Sequence, residues 1–154
     1  MLLRAILLIL LTFLGSLAWA ADAVEDDVPT LEEQLFRPAE GADLNDFLWT
    51  NRPVIVFADS EADPRYRQQM DLLSERMPDL LERDVIVIVD TDPAAQSSLR
   101  TRLRPRGFMF VLIGKDGNVY LRKPFPWDVR ELSRSIDKMP LRQQEMRERR
   151  GITE

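Results

Sequence analysis

Five carboxylates fall where an α/β protein keeps its chemistry. Asp59, Glu61 and Asp63 alternate with small residues directly after the apolar run Pro53–Ala58, and Asp90 and Asp92 follow a second run, Val85–Val89. Ligands of open α/β sheets sit beyond the carboxyl ends of the strands. Carboxylates crowded at such an edge can hold a hard cation, pair with arginine, or raise one another's pKa and work as acid and base. Each aspartate next to a proline also has a simpler use: Asp63-Pro64 and Asp92-Pro93 are cap-then-proline helix starts. A Ca²⁺ loop of alternating acids would continue with glycine, but Pro64 follows Asp63. No metal ligand set and no cofactor are assigned.

A second series is Arg100, Arg102, Arg104 and Arg106. Arg104 and Arg106 flank Pro105 just before the third apolar run, Phe108–Ile113. Guanidinium groups fork onto phosphate, sulfate or carboxylate; the alternatives are pairing with nearby acids or plain solvation. The candidate binding set is therefore Asp59, Glu61, Asp63, Arg104 and Arg106. A third candidate is the tail Arg142–Arg150, either a docking surface for an acidic partner or lipid head groups, or a solvated helix end.

Composition closes several classes. The chain has neither cysteine nor histidine. Thiol–disulfide exchange, Ser-His and Cys-His catalysis, and zinc sites built on Cys or His are excluded, so any acid–base step must use Asp, Glu, Lys, Tyr or backbone. The cations are 18 Arg and 3 Lys, and the net charge is −5. An acidic chain is a poor nucleic-acid binder, and no nucleic-acid partner is expected. No glycine-rich phosphate loop occurs.

The elements that would position these residues read as follows. Arg4 and an uncharged run from Ala5 lead to Ala18-Trp19-Ala20, the layout of a cleavable secretory signal peptide over residues 1–20, cut between Ala20 and Ala21. The expected location is periplasmic or secreted, with membrane contact only through that segment if uncleaved. Residues 21–42 read as an acidic, disordered linker: Ala21–Phe36 holds six acids and no basic residue. Asp43 caps a short helix carrying Leu44, Phe47 and Leu48. Val54–Ala58, Val85–Val89 and Phe108–Ile113 are unbroken apolar runs, which suit strands buried on both faces. Between them Tyr66, Met70, Leu73 and Met77 form a helical stripe that Pro78 ends or kinks, and Leu99 and Leu103 mark a second helix. Gly114-Lys115-Asp116-Gly117 is a hairpin signal with a return strand Asn118–Arg122. Asp128 and Glu131 suit a capping box before Val129, Leu132, Ile136 and Met139. Pro140 precedes a charged helical tail, residues 141–154. The fold class is α/β, a three-layer sandwich of order βαβα-ββα preceded by a short helix.

Residues along this order resemble known proteins. Val54–Ala58, Phe108–Ile113, Lys115-Asp116-Gly117 and Val119 resemble the first and third core strands, hairpin and return strand of thioredoxins. More specifically, Asn51-Arg52-Pro53, Asp63-Pro64-Arg65-Tyr66 with Gln69, Arg83-Asp84-Val85, Gly114–Gly117 and Ile136–Arg142 resemble a family of unknown function found in exported bacterial proteins, related to the extracellular equarin, URB and sushi-repeat SRPX group. The resemblance implies a thioredoxin-like domain over residues 43–140 and a compartment, but no reaction. Glu61-Ala62-Asp63-Pro64 stands where thioredoxins carry Cys-x-x-Cys, and Met109 falls at the usual cis-proline position. The expectation is an exported, non-catalytic thioredoxin-like module that binds a protein or polyanionic ligand. The alternative is a carboxylate-based or divalent-metal-dependent enzyme at the same edge.

Overall fold

A computed structural model describes residues 28–151. The expected signal segment and its Ala20–Ala21 cleavage point lie outside the described residues, and among those described no helix is long and apolar enough to cross a membrane.

Strand β2 (Arg52–Phe57) is buried at every position. It runs parallel to β3 (Val85–Asp90), with Val54 opposite Val87, and antiparallel to β4 (Met109–Ile113), with Ile55 opposite Val111. β4 continues through a hairpin into β5 (Val119–Lys123), with an irregularity between Leu112 and Ile113. Alternate residues of the apolar runs serve opposite faces. Val54, Val56, Val87, Phe110 and Leu112 pack with Leu73, Leu80, Val129, Leu132 and Ile136 on one side of the sheet. Ile55, Phe57, Ile88, Val111 and Ile113 pack with Leu44, Leu99 and Leu103 on the other. The first layer is α2 (Pro64–Ser74), α3 (Met77–Leu81) and α5 (Val129–Asp137); the second is a 3-10 turn (Leu44–Phe47), capped by Asp43 as expected, and α4 (Ser98–Leu103). This is the thioredoxin-like three-layer order read from the chain.

Four local expectations change. Residues 21–42 are not wholly a linker. Thr30 and Glu33 form a capping box that opens α1 (Leu31–Leu35). The chain then enters β1 (Phe36–Pro38), which pairs in parallel with β3 and makes the sheet order β1-β3-β2-β4-β5. Leu35 has no exposed surface. Glu32, Glu33 and Glu40 are exposed, so charge density hid one buried leucine and one strand. Second, Pro78 opens α3 rather than closing α2; a first-turn proline lacks only an N–H that has no helical partner. Third, Asp128 caps α5 through the Arg130 N–H, but Glu131 pairs with Arg134 at 2.6 Å instead of closing a box. Fourth, the tail is a docked helix, α6 (Pro140–Arg149), with Arg142 buried.

Gln69 ties two helices of one layer together. It is fully buried on α2, accepts the Trp127 N–H at 2.7 Å and donates to the Trp127 carbonyl at 3.1 Å. The amide thereby fixes the entry into α5.

Leu35 separates the two readings of the N-terminal segment. Leu35→Ala should destabilise the domain by about 2–5 kcal/mol, the usual cost of emptying a buried leucine site. A denaturant-unfolding curve unchanged by the substitution would return this segment to a linker.

Candidate functional site

The carboxyl ends of β1, β3 and β2, and the start of antiparallel β4, share one edge. The expected convergence occurs there in part. Gly107, at φ +61°, brings its turn so near the 59–65 loop that a β-carbon on it would lie 3.8 Å from Asp59 Oδ2 and 3.9 Å from Arg65 Nη2. Arg104 takes a left-handed conformation, φ +50°, to close α4 through its N–H to the Arg100 carbonyl. Arg104 and Arg106 are both exposed. Met109 is a regular strand residue opposite Phe57.

The carboxylates do not act as one set. Asp59 and Glu61 are exposed. Asp63 caps α2 through the Arg65 N–H at 2.8 Å and forks with the same residue's guanidinium at 2.9 and 3.2 Å. Those bonds hold its carboxyl below the ordinary aspartate value. Arg65 in turn lies 5.6 Å over the Phe108 ring. Asp92 accepts the Ala94 N–H and starts a 3-10 turn, Pro93–Ala95. Among the described residues no group of three or more acids is arranged to hold a metal ion.

Asp90 is the one carboxylate here that is nearly removed from water, at 4 % exposure. It receives the Arg100 Nε at 2.7 Å on one oxygen and the Ser97 hydroxyl at 2.5 Å on the other. Arg100 also donates to the carbonyls of Ala58 and Asp90, at 2.7 and 3.0 Å, and lies 5.5 Å over the Phe57 ring. One guanidinium thus closes the ends of both β2 and β3. A buried charge survives only when so paired. The arginine series held this partner, but at Arg100 rather than at the residues flanking Pro105.

Beside this pair lies an open cleft of about 880 Å³. Its walls are Ala39–Asp43, Val89–Asp92, Ala95 and Ser97-Ser98. Three acids other than the sealed Asp90 line it: Glu40, Asp43 and Asp92. The sequence reading missed this cleft because one wall belongs to the segment taken as a linker.

At the opposite edge four of the five stretches that carried the family resemblance meet. Arg52, with 1 % of its side chain exposed, opens β2 and donates to Glu145 of α6 at 2.9 Å and to the Arg83 carbonyl at 2.9 Å. Lys115, from the hairpin, reaches Asp84 at 2.8 Å and Glu145 at 2.9 Å. Arg142 bridges Glu82, Asp137 and Glu145 at 3.4–3.5 Å, and Arg83 forks onto Asp137. Burial pushes the Glu145 carboxyl up, but the hydrogen bonds and charges of Lys115 and Arg52 outweigh it and hold the group at about 2.

That depression sets a pH dependence. A carboxyl near 4.5 when unfolded and near 2 when folded adds stability above about pH 4.5, and loses it as the pH falls through 2. At about 1.4 kcal/mol per unit the contribution is on the order of 3 kcal/mol. Equilibrium unfolding at stepped pH should show this decline in the natural protein and a flatter profile in Glu145→Gln. Parallel profiles would remove Glu145 from the account.

Comparison with known proteins agrees with the fold. No curated protein matches the chain. Among solved structures it is similar to the reduced 2-Cys peroxiredoxin of Plasmodium vivax, with 13 % identity, a TM-score of 0.55, and 67 % of this chain covering 85 % of that one. A second is thioredoxin peroxidase I of Plasmodium yoelii, with 18 % identity, a TM-score of 0.46, and coverage of 73 % and 83 %. At that identity the likeness of the first speaks to the fold alone, and the second carries no argument. The model of a domain of unknown function, DUF4174, matches residues 43–145, and the chain belongs to that family.

Proposed function

We propose that the protein is an exported, non-catalytic, thioredoxin-like module that binds a protein partner at the carboxyl-terminal edge of its sheet. One observation carries this reading: two of the acids at this edge, Asp63 and Asp90, are committed to structure, while an open cleft lies beside Asp90. Asp63 is taken by its cap and Arg65, and Asp90 by Arg100 and Ser97. The cleft walls offer Glu40, Asp43 and Asp92, whereas Arg104 and Arg106 are exposed on the turn before β4. A uniform polyanion would be repelled by the cleft. A protein surface supplies both signs and suits complementary patches of opposite charge.

Export rests on the leader-like first twenty residues, and on the proposed kinship with the extracellular equarin, URB and sushi-repeat SRPX group. The alternative, a carboxylate or divalent-metal enzyme, would have to use Asp59 and Glu61. Both are exposed, and no geometric observation favours it.

Ala95→Trp, on the cleft wall, should abolish co-purification of a partner from an extracytoplasmic extract, while Gln144→Ala on α6 should leave it intact. Capture indifferent to Ala95→Trp, or a turnover that disappears with Asp59→Asn or Arg106→Ala, would overturn the reading.

A further inference from the structure

Helix α6 is held in an unusual way. Its one buried residue is a charge, Arg142, and Leu141 and Met146 are only half-buried. Most helices dock by an apolar face. This one is tied down by ions: Glu145 to Arg52 and Lys115, Arg142 to Glu82 and Asp137, and Arg149 to Asp84 at 3.9 Å.

Of the three cations on Glu145, Arg142 belongs to α6 itself, but the two nearer ones, at 2.9 Å, do not. Arg52 is rooted in β2 and Lys115 in the β4–β5 hairpin. Apart from Glu145 they share one acid, Asp84, at 3.8 and 2.8 Å. Lifting α6 would leave two positive groups facing one negative group, so the site lacks one carboxylate. Both Arg52 Nη2 and Lys115 Nζ meet the same Glu145 oxygen at 2.9 Å, a convergence built for a single anionic group.

Trp49 is bonded to the same hairpin. Its backbone N–H donates to the Lys115 carbonyl at 2.8 Å, its φ is +64°, and the residue is 69 % exposed. A large residue held in the left-handed region stores strain, and strain of this kind collects at binding and switch sites.

We propose that Arg52 and Lys115 form a carboxylate socket, that Glu145 is its tethered occupant, and that α6 is a strap displaced by an acidic peptide segment of a partner protein. A tethered group competes through its high local concentration, so the socket stays filled until a peptide with several acids arrives. An incoming carboxylate remakes the two bonds that Glu145 gives up. Lifting α6 uncovers little apolar surface of its own, since Leu141 and Met146 are already half in water. This site lies at the opposite edge from the cleft and does not depend on the reading given for it.

The test uses the full chain. In Glu145→Ala, acetate should raise the melting midpoint saturably above sodium chloride of equal ionic strength. It should not do so in the natural protein or in Glu145→Ala/Lys115→Met. Equal shifts in acetate and chloride would overturn the socket. Hydrogen exchange on the natural chain is independent of how the variants fold. Amides 143–149 should exchange at least about tenfold faster than those of β2, as expected of a locally opening unit. A hexaglutamate peptide should speed them further without affecting β2, whereas hexaglutamine should not. Exchange of α6 at the rate of β2, or no response to hexaglutamate, would overturn the strap.

Discussion

The structure depends on the double burial of the β2–β3 pair. These strands lie at the middle of the sheet with layers on both faces, so almost none of their side chains meets water. Apolar side chains satisfy the faces. The ends are harder, because loops, carbonyls and charges must turn there out of a dry core, and each unpaired polar group costs roughly 1–3 kcal/mol. The chain closes both ends with ion pairs. Arg100 and Asp90 seal the carboxyl end, and Arg52, Lys115, Asp84 and Glu145 seal the amino end.

These closures reassign charges that would otherwise suggest chemistry. A thioredoxin-like scaffold without cysteine keeps the edge on which the fold usually works. Its buried acid there is already neutralised, and its cap acid is already bonded. What remains open is shape and surface charge: a cleft with an acidic wall and a turn with two exposed arginines. The proposed recognition role draws on that shape and charge, and not on Asp63 or Asp90, which arginines already hold.

Much of the fold was legible in the chain, for a physical reason. Unbroken apolar runs identified the buried strands, and Asp63-Pro64 and Asp43 identified helix caps, since these signals are local. The Leu35 and β1 contribution was hidden because its partner, β3, lies about fifty residues away and its own segment is dominated by acids. The Thr30–Glu33 box was the available signal. The same limit applies to the sites. Nothing local pairs Asp90 with Arg100 rather than with Arg104 or Arg106. Glu145 read as part of a solvated helix end because its partners, Arg52 and Lys115, come from distant strands. The grouping of family-like stretches around Arg52, Asp84, Lys115 and Arg142 was visible as a pattern, but only folding showed that they meet.

The central claim is that the charges at the strand ends are structural closures. A double-mutant cycle on Asp90 and Arg100 tests it directly, with Asp90→Asn, Arg100→Met and the double variant followed by equilibrium unfolding. The account predicts that each single change costs about 3–5 kcal/mol, because it strands a buried charge or its polar partners. It also predicts that the double variant costs much less than their sum. Additive costs, or single variants as stable as the natural protein, would contradict it.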